Sequence, residues 1–166
     1  MGKRALFLGF ILVALLVASC GPAAAPTPKA KAQGTPTPTP STDEEAILNL
    51  LKAEADGVVS QDIDLLMSLW APKGVVTDAN HTPKDPSDDL VWEGAKAIKE
   101  RYLFIFPSAP MQAAHADVEL TIAGDTATAT STTTIGVDQA PKGDLWTFQK
   151  TEGRWYITSL TFNREK

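Results

Sequence analysis

The hydrophobic period changes once along this chain, near residue 113, and that change limits the folds open to it. Before it, apolar residues recur at helical spacing in three stretches: Ile47, Leu50, Leu51, Ala55 and Val58; then Ile63, Leu66, Met67 and Trp70; then Ala95, Ile98, Tyr102, Ile105 and Phe106. After it, Ala114, Ala116, Val118, Leu120 and Ile122 alternate with His115, Asp117, Glu119 and Thr121, the pattern of a strand with one buried and one polar face. Three helices that precede an antiparallel meander can cover only one face of it, so the chain predicts a two-layer α+β domain with a curved sheet.

Local signals punctuate these elements. Thr42-Asp43-Glu44-Glu45 is a capping box that opens the first helix. Ser60 is the expected cap of a second helix from about Gln61, which Pro72 stops. Residues 74–78 read as a short strand, 79–89 as a loop, 90–93 as the returning strand, and Gly94 begins a third helix that ends before Pro107. In the meander, Gly124-Asp125 turns the chain into a Thr- and Ala-rich strand to about Val137. A further turn is expected at 139–143, then strands near 144–151 and 154–163 joined through Glu152-Gly153.

The first 42 residues have a different character. Lys3 and Arg4, an apolar run from Ala5 to Val17, and Val17-Ala18-Ser19-Cys20 resemble a bacterial lipoprotein signal, so residues 1–19 are expected to be removed and Cys20 lipidated. Cys20 is the only cysteine, which excludes an intramolecular disulfide. Residues 20–42 hold six of the twelve prolines and no large apolar side chain. Such a segment reads as a tether, able to span up to about 70 Å in polyproline II. The expected location is the extracytoplasmic side of a bacterial membrane, with lipid on Cys20 as the membrane contact. Residues 43–166 form one domain with 11 Lys and Arg against 20 Asp and Glu, a net charge of −9 that disfavours nucleic acid.

Four motifs carry a resemblance across essentially all of 43–166: Asp62-Ile63-Asp64 ahead of Leu65-Leu66-Met67-Ser68-Leu69-Trp70; Val75-Val76-Thr77-Asp78; Trp92-Glu93-Gly94; and Gly153-Arg154-Trp155-Tyr156-Ile157. In this order the chain resembles the NTF2-like superfamily, in its SnoaL-like and ketosteroid-isomerase-like branch. The resemblance implies a cone with a pocket between helices and sheet, and a homodimer through the sheet face. It leaves the activity open, because the fold carries isomerases, cyclases, dehydratases, hydrolases and binding modules.

The candidate site residues follow from both readings. Glu54 lies on the apolar stripe of the first helix, either as an edge residue reaching solvent or as a pocket acid with a raised pKa. The resemblance aligns Asp78 with the general base of the ketosteroid isomerases, while Asp78 as a strand-end turn former is the alternative. It also puts Glu54 where those enzymes carry a tyrosine and Leu145 near their late-strand acid, so steroid isomerisation is not expected. Trp70, His81, Trp92, Tyr102 and Trp146 are the expected pocket lining, and His115 is placed on the solvent or dimer side of its strand. No metal or cofactor is expected, since no second His or Cys falls at ligand spacing beside His81, Asp78 and Asp85. The leading expectation is a domain that binds a small apolar ligand or a protein partner without catalysis. The alternatives are a SnoaL-like enzyme using Asp78 and Glu54, and a homodimeric scaffold.

Overall fold

The computed structural model describes residues 40, 42–108, 113–135 and 138–164. The expected signal, Cys20 and all but the end of the tether lie outside the described residues. Helix α1 (Asp43–Ser60) opens where the capping box places it: Thr42 accepts from the backbone N–H of Glu45 at 3.1 Å, and three acids sit in the first turn. The start of α1 is pinned to the closing hairpin of the sheet, because Asp43 accepts from Lys150 Nζ at 2.7 Å and from Trp155 Nε1 at 3.0 Å.

The turn into α2 (Ile63–Leu69) differs from expectation. α1 continues through Ser60, whose hydroxyl bonds back to the Asp56 carbonyl, and Gln61 ends it in the left-handed conformation. Asp62 therefore caps α2, accepting from Leu65 N at 2.9 Å. The Gln61 side chain donates to the Phe106 carbonyl, which ties this corner to the end of the third helix.

Strand β1 (Trp70–Asp78) begins earlier than the predicted 74, running through Pro72. Its pairing with the last strand is irregular between Trp70 and Val75, so the missing N–H of proline falls where no ladder bond is needed. β2 (Leu90–Glu93) and α3 (Gly94–Ile105) follow as expected. Gly74 lets α3 approach β1: a Cβ there would stand 2.7 Å from Trp70 Cε3 and 3.2 Å from Ile98 Cδ1.

The meander comprises β3 (Ala113–Ala123), β4 (Thr126–Ile135), β5 (Asp138–Thr151) and β6 (Arg154–Phe162). The turn expected at 139–143 is instead strand. Ile135 pairs with Asp138, and an irregularity between Ser131 and Thr133 of β4 absorbs the extra residues of β5, including Pro141. The six strands order as β2-β1-β6-β5-β4-β3, all neighbours antiparallel except β1 and β6, which run parallel. The helices and the inner sheet face share one core, in which Ile47, Leu51, Leu66, Ile98 and Tyr102 meet Val76, Trp146, Phe148 and Ile157. The outer face carries Thr126 and Thr128 exposed, while Ala127, Ala129 and Ser131 turn inward.

Candidate functional site

Helix α1 carries Glu54 to the core because Leu50, Leu51, Ala55 and Val58 share its face. The carboxylate is not at a solvent edge. Its side chain is 7% exposed, Oε1 accepts from the Tyr102 hydroxyl at 2.6 Å, and Oε2 lies 2.8 Å from Nε2 of His115. The chain of contacts extends both ways: Trp70 Nε1 donates to the Tyr102 oxygen at 3.1 Å, and His115 Nδ1 lies 3.2 Å from the Thr133 hydroxyl. Trp146 meets the imidazole edge-on, with centroids 4.8 Å apart and planes at 72°.

His115 is the main correction to the sequence reading. Unbroken alternation along β3 puts this residue on the outward face. A bulge interrupts the β3–β4 register between Ala116 and Glu119, with Asp117 at φ +48°, and inverts the phase. Odd residues before it and even residues after it turn inward, so Ala113 and His115 share a face with Val118 and Leu120.

The surroundings favour the charged form of both partners. Burial pushes the Glu54 carboxyl up, but the hydrogen bond and charge of His115, the Tyr102 hydroxyl and the charge of Arg101 outweigh it and hold Glu54 below its ordinary range. Burial likewise pushes His115 down, and the Glu54 bond and charge, with the charge of Asp144, override it upward. Burial and the neighbouring Glu54 charge hold Tyr102 well above its usual value. Glu54 is therefore an acceptor on both oxygens, and the expectation of a carboxyl with raised pKa is corrected.

These shifts set a pH dependence. The Glu54 contribution to stability is present above its ordinary 4.5 and lost as pH falls through its lowered folded value. The His115 contribution is complete below 6.5 and lost as pH rises through its raised folded value. Stability from the pair is flat between these two limits and declines on either side. Asp43, held low chiefly by Lys150 and then Trp155, shares the acid limb, so the alkaline limb is diagnostic. Urea midpoints measured from about pH 4 to pH 9 are expected to fall on the alkaline side, and His115→Gln is expected to remove that decline.

Above the pair lies a cavity of about 430 Å³. Val58, Ile105, Trp146, Leu160 and Phe162 supply apolar wall, and Glu54, His81, Arg101, His115, Thr133, Asp144 and Asn163 supply polar points. Of the predicted lining, His81 and Trp146 are in the wall. Trp70 and Tyr102 are buried beneath it within the hydrogen-bonded chain, and Trp92 stands behind Arg101, with its ring centroid 5.4 Å from the guanidinium carbon.

Asp78 does not line the cavity. Its Oδ1 accepts from Asn80 N at 2.9 Å and from Asn163 Nδ2 at 2.8 Å, the turn-forming role given as its alternative. Leu145 is on the outward phase of β5, and its neighbour Asp144, 3% exposed, enters the site; counting back by two from Phe148 and Trp146 reaches it. Arg101 was also missed, although it stands at i+3 from Ile98 and i−4 from Ile105 on the core-facing side of α3. No group of three or more His, Cys, Asp or Glu able to hold a metal occurs among the described residues.

An α+β cone with an acid–base pair buried at the base of an apolar cavity defines this as a pocket domain of the NTF2-like class. The chain belongs to the SnoaL-like domain family, whose pattern matches residues 39–161. Solved structures share the fold. A protein of unknown function with a cystatin-like fold from Nostoc punctiforme superposes with TM-score 0.58 at 14% identity, covering 72% of this chain and 89% of its own. A candidate dehydratase of the NTF2-like family from Streptomyces avermitilis gives 0.54 at 24% identity, over 74% and 96%. A candidate aromatic ring hydroxylase from Novosphingobium aromaticivorans gives 0.58 at 23% identity, over 75% and 90%. No curated protein matches the sequence.

Proposed function

We propose that the chain is an exported lipoprotein, held by lipid on Cys20, whose SnoaL-like domain takes a small, mostly apolar organic molecule into its cavity. The cavity itself carries this reading: about 430 Å³ of space bounded by aliphatic and aromatic side chains with polar groups at a few points. That size and lining suit a small-molecule ligand. The basic, apolar and small-residue order of residues 3–20 supports the anchor, and the Pro- and Thr-rich stretch supports a spacer between lipid and domain.

Native mass spectrometry of the purified chain is expected to show a non-covalent mass that is lost on denaturation. Finding none, together with no thermal shift from a library of small organic compounds, would count against the pocket reading.

One observation favours a second reading, proton-transfer catalysis. The Glu54–His115 pair borders the cavity, and an imidazole of raised pKa braced by a carboxylate is suited to give and take a proton from a bound molecule. In this reading His115 replaces Asp78 as the working group, and Glu54 orients it. Glu54, as an ionised acceptor, has no hydrogen to offer an enolate oxygen, which argues against isomerase chemistry of the steroid type. The candidate dehydratase among the structural relatives fits the same class of chemistry. The readings separate on the fate of the molecule that co-purifies: a catalyst changes its mass on incubation, and a binder returns it unaltered.

A further inference from the structure

The cavity holds a cation whose charge reaches the ion pair at its base but which makes no bond to it. Arg101 lines the cavity one helical turn before Ile105. Its guanidinium carbon lies 4.9 Å from the Phe162 ring centroid, 5.4 Å from that of Trp92 and 5.7 Å from that of Tyr102, so aromatic faces hold the group in place. Among the described residues no carboxylate stands within ion-pair distance of Arg101, and no hydrogen bond involves it. Of the two acids of the cavity, Glu54 contacts the imidazole at 2.8 Å, and Asp144 acts on the imidazole through its charge.

A guanidinium presents five N–H donors in a planar fork whose geometry matches a carboxylate. Contact with three rings stabilises its charge and satisfies none of those donors. A ligand acid would supply the missing acceptors inside a partly desolvated site, where charge-assisted bonds are strongest. The domain's net charge of −9 works against casual anion binding elsewhere on its surface.

We infer that Arg101 anchors a carboxylate, and that the cavity takes a small organic acid whose apolar body lies against Ile105, Trp146 and Leu160. The inference rests on the pocket reading above and narrows its ligand class.

Matched pairs of probes test it: benzoate and benzamide, 3-phenylpropanoate and 3-phenylpropanamide, octanoate and octanamide, titrated calorimetrically into the purified chain near neutral pH. At least one acid is expected to bind about 10- to 100-fold more tightly than its amide. Arg101→Met, which keeps the aliphatic stem, is expected to bring that acid down to the level of its amide while the amide changes little. Arg101→Lys, which keeps the charge and loses the fork, should restore only part of the preference. Circular dichroism checks that each variant folds; if Arg101→Met does not, the acid-to-amide ratio in the parent chain and in Arg101→Lys decides.

An amide that binds as tightly as its acid, or an Arg101→Met chain with unchanged acid affinity, overturns the carboxylate assignment and leaves the pocket reading standing. If neither member of any pair binds, the pocket reading fails and this inference falls with it.

Discussion

Glu54→Ala is expected to destabilise the domain by about 3–5 kcal/mol, the usual cost of removing one partner from a buried ion pair. Two groups lose a partner at once and a void opens. His115, whose side chain is 6% exposed, keeps its contacts to Thr133 and Trp146 but loses its carboxylate, the Tyr102 hydroxyl loses its acceptor, and the void lies on the face of α1 that carries Leu50, Leu51 and Val58. The imidazole can relieve part of the cost by shedding its proton, so its titration midpoint should fall below that of the parent chain. Glu54→Gln keeps the volume and one acceptor oxygen but turns an N–H group toward a donor. It should cost less, about 1–3 kcal/mol. Urea denaturation gives the free energies, and NMR titration of the His115 ring gives the midpoint. A Glu54→Ala chain that unfolds at the parent urea concentration would contradict the buried pair.

Trp146→Ala is expected to cost a similar amount, about 3–5 kcal/mol, through a different mechanism. The indole is 1% exposed, donates from Nε1 to the buried Ser131 hydroxyl at 3.0 Å, and borders both the cavity and the imidazole. Its removal merges the space it fills with the cavity, so the wall on that side is lost and any co-purifying molecule should be lost with it. Trp146→Phe retains most of the apolar contact and leaves Ser131 without its donor, a loss of about 1–3 kcal/mol. Comparing denaturation midpoints with ligand retention in the native mass spectrum separates the two contributions. Loss of stability without loss of the ligand would show that this wall does not contact the bound molecule.

Much of the architecture was legible because it is written in short-range patterns. The capping box at Thr42 and the stripe from Ile47 to Val58 specify α1 and aim Glu54 inward, where it lies. Thr126 and Thr128 of β4 lie on the outer sheet face, as simple alternation with Ala127 and Ala129 requires. What was misread depends on one-residue insertions that alternation cannot reveal. The bulge at Asp117 costs a single extra residue, yet it moved His115 from the expected outer surface to the base of the cavity. Pro141 was read as a turn for the same reason, since an irregular register lets a strand carry it. Asp78 was drawn into the site by its alignment with a catalytic residue of the wider family, whereas its actual partners, Asn80 and Asn163, lie beside it and on the neighbouring strand end. The Tyr102–Glu54–His115 contacts join residues 48 and 61 positions apart, and no local pattern encodes such a meeting.

The parallel seam between β1 and β6 has a consequence for how the domain is made. Asp78 is registered against Phe162, so among the described residues the β1–β2 hairpin joins the rest of the sheet through β6 alone. Until β6 is in place, the two halves of the described sheet have no bonded edge in common, and long-range closures of this kind are slow to form.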